Sequence, residues 1–158
     1  MSETSLLNFR SEKFADNSTG FVGEYGESLA VEFLKSNGYR IILANFKIPI
    51  GRNIRGAQVS GEIDIVALDQ NVVCFVEVKT RTSDEFASPL SAVDLRKQRQ
   101  ITRTARIYRK VFNLHKYPFR YDVVGIVLGT GENPQIALYK NFWNESKFRK
   151  KVWNDERW

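Results

Sequence analysis

Cysteine and histidine are almost absent from this chain of 158 residues, which has one of each, Cys74 and His115. A single thiol cannot form an internal disulfide, and it cannot supply the ligands of a zinc knuckle or an iron–sulfur cluster. The lone histidine has no serine or cysteine motif near it, which argues against Ser/His and Cys/His mechanisms. These absences favour a protein of the reducing cytoplasm that uses neither thiol nor histidine chemistry.

Long apolar runs are also missing, since none approaches the length needed to cross a bilayer. The first 20 residues are polar and lack the basic and apolar segments of a secretory signal. We therefore expect a soluble, cytoplasmic protein without a membrane partner. Its organisation is predicted to be a flexible polar leader, residues 1–20, followed by a single domain, residues 21–158, with a basic C-terminal segment.

Positive charge is what the chain has in excess, with a formal net charge of +6 and a pI near 9.5. Residues 95–117 contain eight Lys and Arg side chains and no acid. Such clustering favours phosphate contact over mere solubility, so we expect a polyanionic partner. The alternative is a protein-interaction scaffold whose basic helix is simply exposed to solvent.

Hydrophobic periodicity divides the chain into two long helices and five strands. The predicted order is a helix at 22–37, a strand at 39–46, a basic loop at 47–60, two strands within 61–81, a long helix at 91–113, and strands at 118–129 and 135–140. Ser91 and Asp94 are spaced as a capping box at the start of the long helix. This order predicts an α/β domain with a mixed central sheet flanked by helices.

The stretch "GEIDIVALDQNVVCFVEVKTR" places charged side chains within two predicted strands of a hairpin. With a turn in its middle, Asp64 faces Glu77 and Glu62 faces Lys79 on one side of the hairpin. The opposite side is predicted to be apolar and to contain Ile63, Ile65, Ala67, Val72, Cys74, Val76 and Val78. The charged residues therefore lie toward the end of a buried sheet.

Two carboxylates that face each other, as predicted for Asp64 and Glu77, destabilise a strand pair unless a cation or a shared proton compensates. Mg²⁺ and Mn²⁺ take oxygen ligands from one or two carboxylates and leave other positions to water and phosphate. Lys79 lies on the same face as Glu77 and can point at water or phosphate. The alternative is a solvated sheet end on which Glu62 and Lys79 form an ordinary cross-strand pair.

Each predicted helix also places one charged residue on its apolar side. Glu27 lies between Leu34 and Val31 on the first helix, and Lys97 projects with Ile101 on the long one. A carboxylate on a packing face is costly unless it is paired or a ligand, so Glu27 indicates either metal contact or a salt bridge. Lys97 indicates either a site residue or an ammonium that reaches along the edge of the core to solvent.

Asp64, twelve intervening residues and then Glu77-Val78-Lys79 resemble the PD-(D/E)xK signature of restriction-endonuclease-like nucleases. The segments "GEYGESLAVEFLKSNGY", "GEIDIVALD", "FVEVKTR", "KQRQITRTARIY" and "FRYDVVGI" come in the order seen in the YraN-like family. That family is an uncharacterised group similar to archaeal Holliday-junction resolvases. The likeness covers residues 23–143 and implies a restriction-endonuclease-like core.

The resemblance implies roles for the matched residues. Asp64, Glu77 and the Val78 carbonyl would bind Mg²⁺ or Mn²⁺, and Lys79 would be the catalytic lysine. Glu27 matches the first-helix glutamate of this fold and would join the catalytic and metal-binding residues. The secondary-site residues would be Glu62, Lys97 and Gln98. Apart from the resemblance, the distribution of positive charge predicts that Arg52, Arg55, Arg81, Arg96, Arg99 and Arg103 bind nucleic acid.

The implied reaction is metal-assisted hydrolysis of a phosphodiester, in DNA rather than RNA, with branched and single-stranded DNA as candidate substrates. The alternative is a nucleic-acid-binding module of the same fold with little or no independent catalytic activity. Junction cleavage needs two sites, which suggests a homodimer by analogy. Two departures from the resemblance are Ile63, which replaces the proline of the signature, and an insertion at residues 48–60. The insertion would either widen the nucleic-acid surface or restrict access to the site.

Overall fold

Two helices and a five-stranded sheet make up most of the chain that the computed structural model describes, namely residues 19–83, 91, 93–129 and 133–148. The elements are α1 (Thr19–Ser36), β1 (Arg40–Arg52), β2 (Gln58–Asp69), β3 (Val72–Arg81), α2 (Leu95–Val111), β4 (Phe119–Val127), β5 (Gln135–Trp143) and a 3₁₀ helix (Glu145–Phe148). Residues 19 and 20 of the predicted leader lie in α1, and its remainder lies outside the described residues. The predicted basic C-terminal segment is described only as far as Phe148.

The sheet has the strand order β1-β2-β3-β4-β5, in which β3 and β4 are parallel and the other described pairs are antiparallel. Parallel neighbours need a crossover, and α2 supplies it between β3 and β4. α1 packs on one face of the sheet and α2 on the other. The predicted α/β domain with a mixed sheet flanked by helices is confirmed.

Each face of the sheet has its own apolar core. Leu34 of α1 packs in one core with Ile65 and Val76, and Ile101 of α2 packs in the other with Phe75. β2 and β3 are therefore buried on both faces along their apolar parts. A central strand of this kind is expected to be apolar on both sides. Carboxylates within such strands are therefore unusual, and they occur here at one end of the sheet.

Both helices make a tight contact with the sheet near the charged ends of β2 and β3. A Cβ atom at Gly26 of α1 would lie 1.8 Å from Thr80 Oγ1 and 2.8 Å from Thr80 Cβ. A Cβ atom at Gly61 of β2 would lie 2.0 Å from Thr104 Oγ1 of α2. These glycines allow the two helices to hold the charged end of the sheet from opposite faces.

The β2–β3 hairpin has the predicted register along its apolar part. Its antiparallel pairs run from Asp69–Val72 at the turn to Ile65–Val76, and Gln70 adopts a left-handed conformation with φ 55°. The described ladder ends there, one residue before the two carboxylates that were predicted to face each other.

Ile63 was predicted to share a hairpin face with Ile65, and that prediction is wrong. The Ile63 side chain packs on the opposite face, in the α2-side core together with Val66. Two residues three apart share a face only where the alternation of a strand is interrupted. Near this point β2 changes from pairing with both neighbours to pairing with β1 alone. The interruption leaves Asp64 free to turn away from the regular ladder.

Residues 47–60 were predicted to form a loop, and that prediction is wrong. β1 continues to Arg52 and β2 begins at Gln58, so that the two strands form a long hairpin with a five-residue tip. The loop was predicted because Pro49 and Gly51 are residue types that usually interrupt strands. β1 lies at the edge of the sheet, where proline is tolerated, and the register shifts between these two residues.

The predicted capping box is also wrong, because Asp94 itself is the N-cap of α2. Its backbone is extended (φ −71°, ψ 174°), and its side chain accepts a 2.8 Å hydrogen bond from the Lys97 N–H. An aspartate in this position satisfies one of the free N–H groups of the first turn. The helix therefore begins at Leu95, which places Lys97 in its first turn.

Candidate functional site

The two carboxylates lie where the β2–β3 ladder ends. Asp64 Oδ2 accepts a 2.8 Å hydrogen bond from the Val78 N–H, so a side chain takes the place of a backbone acceptor. Asp64 is 7% exposed and Glu77 is 1% exposed. The alternative of a solvated sheet end is therefore excluded for both residues, because the core itself ends in two buried carboxylates.

Two ammonium groups converge on Glu77 Oε1. Lys79 Nζ lies 2.7 Å from this oxygen, and Lys97 Nζ, which comes from α2, lies 3.3 Å from it. The other carboxylate oxygen, Oε2, is buried and has no hydrogen-bond partner among the described residues. Leaving a buried acceptor without a partner costs about 1–3 kcal/mol, and more when it is charged. Glu77 is therefore bound on one oxygen and unsatisfied on the other.

Asp64 has a strongly perturbed pKa. Burial, and after it the negative charge of Glu77, raises the pKa of Asp64 from 3.8 to about 7. The hydrogen bond from Val78 and the positive charge of Lys97 oppose this shift without cancelling it. A cation near both carboxylates would lower the pKa of Asp64, because it would offset the charge of Glu77 and favour the ionised form of Asp64.

A cleft of about 330 Å³ opens between α1 and the β1–β2 pair, next to Asp64. Glu27 and Asn45 line the cleft together with Asp64. Burial raises the pKa of Glu27, a hydrogen bond with Asn45 opposes the shift, and the charges of Glu62 and Glu77 add to it. Glu27 therefore lies within electrostatic reach of the carboxylate pair, as its place on the packing side of α1 predicted.

Asn45 is a site residue that the sequence analysis missed. It lies in β1 with a left-handed backbone, φ 55°, and its side chain hydrogen-bonds to Glu27 in the cleft. Asparagine is one of the few residues other than glycine that adopt this conformation readily. The available signal was a polar residue that interrupts the apolar strand pattern "RIILANFKI".

Two of the implied secondary-site residues have other partners. Glu62 pairs with Lys47 of β1 at 3.3 Å, which corrects the predicted cross-strand pair with Lys79. Lys47 is directly opposite Glu62 in the β1–β2 ladder, whereas the β2–β3 ladder has already ended. Gln98 is buried, donates a 2.8 Å hydrogen bond to the Val93 carbonyl, and accepts one from Lys147.

The arginines implied to bind nucleic acid fall into two groups. Arg96 and Arg55 are exposed, and the structure gives their side chains no ion pair or hydrogen bond among the described residues. The others each have a partner: Arg52 the Gly56 carbonyl at 2.7 Å, Arg81 the Ser91 hydroxyl at 3.5 Å, Arg99 the Phe148 ring at 5.6 Å, and Arg103 the Ile50 carbonyl at 2.6 Å.

The carboxylate pair has the donor chemistry that Mg²⁺ or Mn²⁺ requires. Within the described ranges, no group of three His, Cys, Asp or Glu side chains is arranged to hold a metal ion. Of the ligands that the resemblance implies, Asp64 and Glu77 form the buried pair, while Glu27 lines the adjacent cleft without forming such a group with them. Asp64, Glu77 and the Val78 carbonyl would hold the ion, and water or substrate would complete the coordination shell. The unsatisfied Glu77 Oε2 and the raised pKa of Asp64 both fit the binding of a cation by these two residues.

The segment that contains these residues is similar in sequence to a family of known proteins. A profile of the uncharacterised protein family UPF0102 matches residues 26–126, from α1 to β4. The chain belongs to the UPF0102 family. This finding confirms the family part of the YraN-like resemblance.

Two UPF0102 proteins illustrate the similarity. The chain is 39% identical over 122 residues to a UPF0102 protein of Clostridium botulinum (strain Hall), an alignment that covers 76% of the chain and 91% of that relative. It is 41% identical over 107 residues to a UPF0102 protein of Caldanaerobacter subterraneus subsp. tengcongensis, with 68% and 80% covered. Among the described residues of the chain, no helix is long and apolar enough to cross a membrane.

Proposed function

We propose that this UPF0102 protein is a metal-dependent nuclease of the PD-(D/E)xK type, with a restriction-endonuclease-like core, that hydrolyses phosphodiester bonds in DNA. The observation that carries the proposal is the buried pair Asp64 and Glu77, in which one carboxylate oxygen has no partner and one carboxyl group has a pKa of about 7. A buried carboxyl group whose pKa is strongly perturbed by burial and by a neighbouring carboxylate indicates a functional site.

The side chains around the pair fit the chemistry of phosphodiester hydrolysis. A divalent cation at Asp64 and Glu77 would polarise the phosphate and lower the pKa of a water molecule. Lys79 is 25% exposed and can stabilise the negative charge that develops on the phosphate oxygens. Lys97 holds Glu77 from the other side, and Glu27 lines the cleft in which water would be oriented.

The basic surface supports a nucleic-acid substrate. α2 carries the exposed Arg96 and Arg99, and its Lys97 reaches Glu77, so a strand held along this helix would pass close to the carboxylate pair. Such contacts hold the sugar–phosphate backbone and carry no sequence information. We therefore propose DNA, with branched and single-stranded forms as the substrates to compare, and a homodimer as the form that would cut a junction twice.

A second candidate function is a nucleic-acid-binding module with the same fold and little or no activity of its own. The observation that favours it is the double ion pair at Glu77, because Lys79 and Lys97 already offset its charge without a metal ion. In this alternative the ammonium groups keep the site closed to cations, and the basic surface alone performs the function.

Cleavage of supercoiled plasmid and of a synthetic four-way junction tests the nuclease proposal, with Mn²⁺, Mg²⁺ or EDTA present. The wild type is expected to cut one or both substrates with Mn²⁺ or Mg²⁺ and neither with EDTA. Asp64→Asn keeps an acceptor for the Val78 N–H and removes the charge, so it should lose at least about 100-fold in rate, as should Lys79→Ala.

Lys35→Ala is the matched control, since this lysine is exposed on α1 and pairs there with Glu32, away from the carboxylate pair. It should cleave as the wild type does. If the wild type and both site variants bind DNA equally and none cleaves it, the nuclease proposal is wrong and the binding module replaces it.

A further inference from the structure

The β1–β2 hairpin separates from β3 beyond Ile65, while β3 continues beside β4 as far as the Arg81–Val127 pair. The β2–β3 ladder ends at Ile65, whereas β2 continues to pair with β1 for seven residues more, as far as the Arg52–Gln58 pair. With about 3.3 Å per residue, this part of the hairpin is roughly 20 Å long. The hairpin tip, residues 53–57, is exposed at every position, and the base of the hairpin adjoins the carboxylate pair.

α2 contacts both strands of this hairpin beyond the end of the β2–β3 ladder. Arg103 Nη2 donates a 2.6 Å hydrogen bond to the Ile50 carbonyl of β1, and Gln100 Nε2 donates one of 3.1 Å to the Ser60 carbonyl of β2. Thr104 packs against Gly61 so closely that a Cβ atom there would not fit. A two-stranded ribbon without such support bends easily, and these contacts fix its direction.

The tip itself is a closed turn. The Asn53 side chain accepts hydrogen bonds of 2.9 and 3.0 Å from the Arg55 and Ala57 N–H groups. Arg52 donates a 2.7 Å hydrogen bond across the tip to the Gly56 carbonyl, and Gly56 has φ 78°. A tip ordered in this way loses little conformational entropy when it binds a partner.

The tip presents one large apolar side chain between cations. Ile54 is fully exposed, at 104% of the reference area, and Arg52 and Arg55 flank it. No Asp or Glu occurs anywhere in residues 47–61. Because the turn is ordered, Ile54 is held in a defined position, and its insertion between bases would remove its apolar surface from water. The surrounding positive charge selects a polyanion as the partner.

We propose that the hairpin tip is a wedge for double-stranded nucleic acid, in which Ile54 inserts at a base step while Arg52 and Arg55 contact the neighbouring phosphates. Apolar wedges flanked by arginines separate stacked bases and favour duplexes that are already easy to unstack, such as junctions and mismatches. The wedge rests on the proposed function, because it requires that the protein binds nucleic acid. It deepens that function by selecting distorted duplexes as the substrate class.

Fluorescence of 2-aminopurine tests the wedge without cleavage. The probe is placed at the centre of a four-way junction and of a matched linear duplex, and binding is measured in EDTA. Wild-type protein should raise the fluorescence of the junction severalfold, because unstacking removes quenching by neighbouring bases. Ile54→Ser should abolish most of that rise while weakening binding by less than about tenfold.

Ile42→Ser is the matched control, because Ile42 is also an exposed isoleucine of β1, at 45%, but lies at the opposite end of the strand. It should give the wild-type signal. Arg55→Ala should weaken binding to both substrates about equally and reduce the salt dependence, as expected for a phosphate contact.

Two outcomes would overturn the wedge: an Ile54→Ser signal equal to that of the wild type, and binding by the wild type without any rise in fluorescence. Absence of binding would overturn both the wedge and the nuclease. Unstacking without cleavage in Mn²⁺ would overturn the nuclease alone, and cleavage without unstacking would overturn the wedge alone.

Discussion

Asp64 and Glu77 show, at the scale of single residues, how a buried charge can be kept without being fully satisfied. The Val78 N–H donates a hydrogen bond to Asp64, and the ammonium groups of Lys79 and Lys97 form ion pairs with Glu77. Glu77 Oε2 and the charge on Asp64 remain uncompensated. Such local instability is typical of sites where function rather than folding selects the residues.

The raised pKa of Asp64 predicts a pH-dependent loss of stability in metal-free buffer. Between pH 3.8 and about 7 the folded protein keeps the Asp64 proton while the unfolded chain releases it, so the free energy of unfolding falls as pH rises through this window. A shift of this size corresponds to roughly 4 kcal/mol as an upper bound. Asp64→Asn should therefore be more stable than the wild type at pH 8 and equal to it near pH 3.5.

Urea denaturation in EDTA at several pH values measures this difference. Added Mn²⁺ should then stabilise the wild type and leave Asp64→Asn unchanged, because the variant lacks one of the two carboxylates. A wild type and a variant with parallel pH profiles would contradict the assignment of the shift to Asp64.

At the scale of elements, close approach of helix and strand decides where the site lies. α1 can reach β3 only because Gly26 has no side chain toward Thr80. That approach carries Glu27 to the cleft beside Asp64. The position of α1, which forms one wall of the site, therefore depends on the absence of a side chain at Gly26.

Gly26→Ala is expected to destabilise the fold by about 1–3 kcal/mol, since the added Cβ would overlap Thr80 and push the helix from the sheet. Gly23→Ala, in the same helix, is the control: a Cβ atom there has nothing within 4 Å. That variant should gain about 0.5–1 kcal/mol through helix propensity. Equal effects of the two substitutions in urea denaturation would show that packing against Thr80 is unimportant.

At the scale of the whole molecule, one charged network ties together the end of the sheet opposite the site. Arg120 of β4 bonds to the fully buried Asp122 at 2.9 Å and to Asp69 of β2 at 2.7 Å. It also donates to the Tyr39 hydroxyl just before β1, and Asp122 accepts from the Asn141 N–H of β5. Both carboxylate oxygens of Asp122 accept hydrogen bonds, whereas Glu77 Oε2 has no partner among the described residues. A fully bonded buried carboxylate is typical of a structural network.

Arg120→Met should therefore lower the free energy of unfolding by about 3–5 kcal/mol, because it leaves the charge of Asp122 buried without its partner. Lys140→Met is the control: Lys140 also pairs with Asp69, at 2.9 Å, but is half exposed. Its loss should change stability by less than about 1 kcal/mol. Similar losses for both variants in urea denaturation would contradict a special role for the buried pair.

Much of the fold and part of the site follow from local sequence patterns. Alternating apolar residues and a short turn predicted the register of the β2–β3 hairpin, because both act between neighbouring residues. Helical periodicity predicted that Glu27 and Lys97 face inward. The β1–β2 hairpin was missed, since proline and glycine in an edge strand produce the same local pattern as a loop.

The sequence by itself determined the α/β order of elements, the excess of positive charge and the presence of two carboxylates near the same end of neighbouring strands. Only the tertiary structure decided that Lys97 of α2 meets Glu77, that Glu62 pairs with Lys47, and that Asn45 joins the site. The physical reason is that periodicity specifies which face a side chain takes. Which element packs against that face depends on contacts between residues distant in the chain.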